Sequence, residues 1–395
     1  MPDRPHLPSD VGLPIHLVET GSRFDAAREP EEGVGLCLSG GGYRAMLFHL
    51  GTLWRLNEFG YLPRLSRVSS VSGGSITAGV LGLHWKNLTF VDGMARNFVD
   101  EVVEPTRGLA GKTIDREAIL GGVLLPGSVA DKIVDAYRQH LFGSATLQDL
   151  PPDPPRFVIN ATNVQSGALW RFSRKYMADY RVGKVMSPTV DLAVAVAASS
   201  AFPPVLSPLE LDVDPSTYAP PSGHPSEDLH REPFTTTVVL TDGGVYDNLG
   251  LETVWKRYRT VLASDGGGKM QAEEEPKGDW AQHALRINEI IDNQVRSLRK
   301  RQLIGSYDSG RRNGAYWGIR ADIKDYGLAD TLACPIEQTT ALAHLKTRLK
   351  RLDPVVQKRL INWGYAVCDA AMRRWVEPGL PAPSGFPYPE SGVGD

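Results

Sequence analysis

The sequence predicts a three-layer α/β/α sandwich around a largely parallel central sheet. Short apolar runs alternate with amphipathic stretches from Val34 to Ser264, the pattern of strands joined by crossover helices. Glycine-rich turns follow several of those runs, at Gly40–Gly42, Gly73–Gly74 and Gly243–Gly244. With 395 residues, 42% hydrophobic and 23% charged, the chain is long and apolar enough to bury a sizeable core.

Residues 1–32, rich in proline and charge, read as an N-terminal arm. A strand over Gly35 to Leu38 opens the main α/β domain, expected to span 33–268. Tyr43 to Phe59 carries Met46, Leu47, Leu50, Leu53 and Trp54 on one helical stripe and stops at Gly60. Leu65 to Val71 is a strand, and Ser75 to Leu83 is a buried helix of small and apolar residues. Strands follow at Phe157 to Thr162 and Ala168 to Phe172, then a small-residue helix from Ala193 to Ala201 that ends at Phe202-Pro203-Pro204. Thr236 to Thr241 and Thr260 to Ser264 are further strands, with a helix around Leu251 to Tyr258 between them. The proline-rich stretch 211–233 reads as a surface excursion, a bland loop or a lid. A helical extension is expected over 269–377, packed on the same domain, and a disordered Pro/Gly/Ser-rich tail over 378–395. Within the extension, Trp280 to Leu303 is a helix with Ile287, Ile290, Ile291, Val295 and Leu298 on one face. Arg296, Arg299, Lys300 and Arg301 cluster near its end and read as a solvated charge run or a membrane-surface patch.

The net charge of −3 offers nothing to nucleic acid. No run approaches the ~20 apolar residues a spanning helix needs, and the N-terminus lacks the apolar core of a secretory signal. Cys37, Cys334 and Cys368 lack metal-site spacing and read as reduced thiols, which points to the cytoplasm, with transient contact at membrane surfaces.

Two strand-to-helix turns carry the chemistry. Ser72 sits in Ser70-Val-Ser-Gly-Gly on a sharp elbow, where small neighbours allow an exposed nucleophile. About thirty residues earlier, Gly40-Gly41-Gly42 places bare N–H groups at a helix start, suited to a developing oxyanion and worth about 3 kcal/mol per donor. Arg44 follows, either adding positive potential to the loop or pairing with a carboxylate. Asp242 ends an apolar strand in Asp-Gly-Gly-Val-Tyr-Asp-Asn, where a desolvated carboxylate serves as base. Asp265, in Ser-Asp-Gly-Gly-Gly, has nearly the same setting, and only the longer motif favours Asp242. His49 reads as a core histidine, and His283 and His344 lack the context of a triad member.

These blocks resemble the patatin-like phospholipase family, including the cytosolic phospholipases that share its core. The resemblance covers roughly 33–268 and extends to Asn160-Ala-Thr-Asn and Ala198-Ser-Ser-Ala-Phe-Pro-Pro. It implies that Gly40, Gly41, Gly42 and Arg44 form the oxyanion hole, that Ser72 attacks the ester, and that Asp242 is the base. It implies a Ser-Asp dyad with no catalytic histidine, cofactor or metal, acting on a phospholipid or other lipid ester. Ser70 departs from the family motif, which has glycine there. Two other readings stand beside it: an α/β-hydrolase esterase with a Ser-His-Asp triad, and a non-catalytic nucleotide- or phosphate-binding module. Against the second, the glycine loop lacks the Gly-Lys-Ser/Thr ending of a P-loop.

Overall fold

The structure, a computed structural model, describes residues 30–114 and 129–395, apart from Val205, Ser222, His224 and Lys269. Most of the expected N-terminal arm lies outside the described residues, and Glu31 and Glu32 already belong to the first strand. One sheet is built from β1 (Glu31–Leu38), β2 (Leu65–Val71), β3 (Arg156–Asn163), β4 (Ala168–Phe172), β5 (Tyr176–Asp179), β6 (Gly183–Met186), β7 (Leu209–Asp212), β8 (Thr237–Asp242), β9 (Tyr258–Asp265) and β10 (Asn313–Gly318). The main helices are α1 (Gly42–Glu58), α2 (Gly73–His84), α3 (Glu104–Ala110), α4 (Val129–Tyr137), α5 (Leu192–Ser199), α6 (Trp280–Asp308), α7 (Ile336–Ala343) and α8 (Pro354–Ala371).

Across the sheet the order is β10-β9-β1-β2-β3-β4-β5-β6, with β8 paired to β3 and β7 to β8. The five strands from β10 to β3 run parallel, as crossover helices require, and β3 to β6 continue as an antiparallel meander. Strand periodicity of two divides the core between the faces. Leu36 and Leu38 of β1 join Leu262 of β9 in the main core, while Cys37, Val261 and Ala263 point the other way, onto Leu303 of α6. That alternation makes the three layers.

The C-terminal third is more than a helical extension. It contributes β10 to the sheet, and α8 lies so close along α1 that a Cβ on Gly364 would stand 1.9 Å from the Phe48 carbonyl oxygen. The tail over 378–395 is not disordered. Proline and glycine keep it out of regular structure, yet Phe386 and Tyr388 pack on the core and Val393 is buried. The Asn362 amide donates to the Tyr388 and Gly392 carbonyls, both at 2.8 Å. The 211–233 excursion is tied to the β5–β6 hairpin by Asp228 on Arg181 (2.6 Å) and by His230 against the Val182 carbonyl (2.8 Å).

Helix α6 corrects the reading of its charge run. Arg296, Arg299 and Lys300 face inward and pair with Asp265, Asp247 and Glu252. Buried carboxylates need partners, so they draw the cationic side of the helix inward. The apolar stripe is left facing solvent: Trp280 is 86% exposed, and Ile287, Ile290, Ile291, Val295 and Leu298 are exposed as well.

Candidate active site

The sheet brings two distant turns together. β2 runs parallel to β3 and ends with Val71 opposite Asn160, whereas β8 runs antiparallel to it and ends with Asp242 opposite Ala161. The carboxyl ends of β2 and β8 therefore meet along one edge of β3. Ser72, the next residue after β2, stands beside Asp242, near enough for its hydroxyl to favour the charged carboxylate.

Ser72 adopts φ 51°, ψ −121°, a region L-residues rarely occupy and one that costs about 1–3 kcal/mol. Local bonds hold it there. Its N–H donates to Ser199 Oγ (2.9 Å), and its carbonyl accepts from the Ser75 (2.8 Å) and Ile76 (3.2 Å) N–H groups. Gly73 is obligatory, because a Cβ there would stand 2.1 Å from the Gly42 carbonyl oxygen. Ser70, in place of the motif's glycine, is fully buried, and its hydroxyl joins a chain through Ser75 (3.0 Å) to Ser199 (2.8 Å) and on to the Asn160 carbonyl (2.7 Å). The substitution braces the elbow.

Asp242 and Asp265, nearly alike in local sequence, are opposites here. Burial raises the Asp242 carboxyl to about 7, against hydrogen bonds from the Gly244 N–H and the Ser72 hydroxyl that favour the charged form; the Asp292 charge adds to the rise. Asp265 is equally buried, but Arg296, Lys300 and the Tyr316 hydroxyl outweigh desolvation and hold it well below the usual carboxylate range. Asp265 anchors α6, and Asp242 is left poised near neutrality.

In the glycine loop Gly41 and Gly42 have φ 145° and 60°. Gly40 is a correction to the expected donor set, since its N–H is already given to the Asn248 carbonyl (3.0 Å). Its lack of a side chain makes room for Ser72 and Asn248. The buried N–H groups of Gly41 and Gly42 meet no protein acceptor among the described residues. Arg44 is buried and its donors go to the Gly266 and Leu345 carbonyls and to Thr347 Oγ1, so it braces the loop and, among the described residues, pairs with no carboxylate. His49 bonds Ser264 Oγ and the Ser39 carbonyl, both at 2.9 Å, and burial lowers it to about 4. His283 and His344 are exposed, and no histidine figures among the hydrogen-bond partners of Asp242.

Sequence reasoning missed Asn248. Its Oδ1 lies where a Cβ on Gly40 (2.3 Å) or Gly244 (2.6 Å) would fall, wedged between the glycine loop and the Asp242 turn. An Asn six residues past the aspartate was the available signal. Ser199 was seen as part of a small-residue helix, without its role as acceptor for the Ser72 N–H.

The sequence profile of the patatin-like phospholipases matches residues 36–255, more than half of the chain and all of the site just described. The chain belongs to the patatin-like phospholipase family. Among solved structures this patatin-like chain is similar to human GIVD cytosolic phospholipase A2 in complex with methyl gamma-linolenyl fluorophosphonate and terbium chloride, at 13% identity and TM-score 0.49, over 86% of this chain and 58% of that one. VipD from Legionella pneumophila gives 16% identity and TM-score 0.34, over 87% and 66%. The chain spans little more than half the length of the human enzyme. No curated protein sequence matches it.

Proposed function

We propose that this patatin-like chain is a lipid acyl hydrolase that cleaves carboxylic esters with a Ser72-Asp242 dyad. Ser72 Oγ attacks the ester carbonyl carbon while Asp242 takes its proton, and the N–H groups of Gly41 and Gly42 hold the tetrahedral oxyanion. Collapse breaks the bond to the alcohol, whose oxygen receives the proton from Asp242. Water then attacks the acyl-enzyme, again giving its proton to Asp242, and the fatty acid leaves as Ser72 is reprotonated. The observation that carries this reading is a buried carboxylate at the end of β8, raised toward neutrality by its burial, brought by the sheet beside a serine on a strained elbow. A base with a pKa near ambient pH is ionised often enough to accept a proton and weakly enough acidic to hold it.

A lipid substrate is supported by the surroundings. Phe202 and Val245 are 52% and 56% exposed, and each stands within three residues of a backbone group beside Asp242. Asp292 of α6 is near enough to act on the Asp242 carboxyl, so this part of the helix lies near the dyad. We assign the stripe to the lipid–water interface. Three buried, unbridged cysteines fit a cytoplasmic chain that visits membranes, and no helix among the described residues can cross one.

Reaction with a fluorophosphonate probe should modify Ser72, and Ser72→Ala should abolish both the label and fatty-acid release. A label mapped elsewhere, or release that survives the substitution, removes the dyad. Replacing Ile287 and Ile291 together by serine should lower hydrolysis of vesicle lipid about tenfold and leave a soluble ester untouched. Equal losses on both substrates would exclude an interfacial role for α6.

A further inference from the structure

Asn248 caps the short helix Gly244–Asp247 that follows Asp242, and its backbone and side chain have different tasks. The backbone carbonyl accepts the Gly40 N–H (3.0 Å), which fixes the residue against the glycine loop. The side-chain oxygen stands 2.3 Å from the place where a Cβ on Gly40 would fall, and Ser72 Cβ stands 3.2 Å from that same place. On the other side, the place of a Cβ on Gly244 is 2.6 Å from Asn248 Oδ1 and 2.9 Å from Asp242 Oδ1. Two residues without side chains thus admit one amide between the nucleophile and the base, close to both.

That amide is half-buried and has no hydrogen-bond partner among the described residues. Amides with a structural task in this fold are paired. Asn160 donates to Ser69 Oγ and to the Ser70 carbonyl, both at 2.9 Å, and Asn57 exchanges bonds with the Ala95 carbonyl (3.0 Å) and N–H (2.8 Å). A polar group partly withdrawn from water and left unpaired is disfavoured unless a ligand arrives to meet it. Together with the Gly41 and Gly42 N–H groups, Asn248 makes a set of unpaired donors beside the Ser72 elbow. Its neutrality suits the place. A cation so near Asp242 would favour the charged carboxylate and pull it down from about 7, which would weaken the base.

We propose that Asn248 is a catalytic residue, a third oxyanion donor whose side-chain N–H bonds the ester carbonyl oxygen as that oxygen gains charge. The proposal rests on the acyl-hydrolase reading. When Ser72 Oγ adds to the carbonyl carbon, the π pair moves onto oxygen, and a bond that is weak to a neutral carbonyl becomes charge-assisted. On collapse the pair returns to rebuild the carbonyl, the alcohol leaves with the proton from Asp242, and Asn248 is left unchanged. Asn248 transfers no proton. Its oxygen end, packed between Gly40 and Gly244, keeps the amide oriented before the substrate arrives, so little reorganisation is needed during reaction.

The test compares the full chain with Asn248→Leu and Asn248→Ala. Leucine keeps the branched shape that fills the space between the two glycines, and alanine gives it up; the helical backbone at this position (φ −66°, ψ −16°) accepts either. Both variants keep the carbonyl that holds Gly40. Each should lower kcat on a soluble ester about 30- to 100-fold with KM within about twofold of wild type. A trifluoromethyl ketone carrying the same acyl chain forms a tetrahedral oxyanion with Ser72, and it should bind weaker by the same factor. The matching ether, which forms no oxyanion, should bind all three proteins alike. A wedge with no chemical part would weaken both compounds together. Full turnover in the leucine variant, or equal losses for ketone and ether, overturns the proposal and leaves the dyad standing; the alanine variant decides if leucine disturbs folding. A wild-type chain that cleaves no ester and forms no ketone adduct takes down the acyl-hydrolase reading and the third donor with it.

Discussion

Asp242→Asn is expected to lower kcat by about 10³- to 10⁴-fold and, at the same time, to stabilise the folded protein above neutral pH. Both effects have one cause. The carboxyl is buried, and its pKa of about 7 lies well above the value of about 3.9 it has in an unfolded chain. Between those two values the folded state keeps a proton that the unfolded state has released. Stability therefore falls as pH rises through that window, and above pH 7 the full cost, on the order of 4 kcal/mol, is present. Asparagine keeps the acceptor for the Gly244 N–H and carries no charge, so it should recover about 2 kcal/mol of that cost. Urea midpoints measured below and above the window should diverge between the two proteins only on the alkaline side. The wild-type kcat/KM should show an acid limb near 7, where the base becomes ionised. An asparagine variant with unchanged midpoints and an undiminished rate would show that Asp242 is neither buried as a charge nor used as a base.

Gly42→Ala should cost about 10³-fold in kcat with a smaller change in KM. Alanine tolerates φ 60° at a cost of about 1–2 kcal/mol. The larger problem is space: the new Cβ would stand 2.6 Å from the Arg348 carbonyl oxygen and 2.9 Å from its nitrogen. The 344–353 segment that joins α7 to α8 cannot retreat without breaking its bonds to Tyr43, Ile114 and Ala110, so the loop must move and carry its N–H groups off target. Turnover of a soluble ester with thermal melting separates the two consequences. A variant that melts lower yet turns over at the wild-type rate would place the oxyanion elsewhere.

Much of the fold can be read from the residues alone. Leu65–Val71 and Ala168–Phe172 were bounded correctly because apolar runs between glycine or polar turns mark strands well. Ser72 stood out because a nucleophile elbow needs small neighbours, a requirement written in adjacent residues. The distinction between Asp242 and Asp265 was not local. It depends on Arg296 and Lys300, which reach Asp265 from a helix the motif does not include. The orientation of α6 was misread for the same reason, since a charge run looks solvated until its buried partners are known. Arg348 left no mark in the sequence either, because its part in the loop is played by a backbone carbonyl that every residue has.

The end-to-end meeting of β2 and β8 on β3 has a consequence for when activity arises. Ser72 and Asp242 are far apart in sequence and are brought together by adjacent positions, Asn160 and Ala161, of a third strand, with Ser199 bonding both turns. A slip of one residue in either pairing would turn side chains to the opposite face and part the two groups. A nascent or partly unfolded chain therefore holds a serine and a carboxylate but no hydrolase. The sheet works as an assembly check: the proposed dyad exists only when three separate strands are in register.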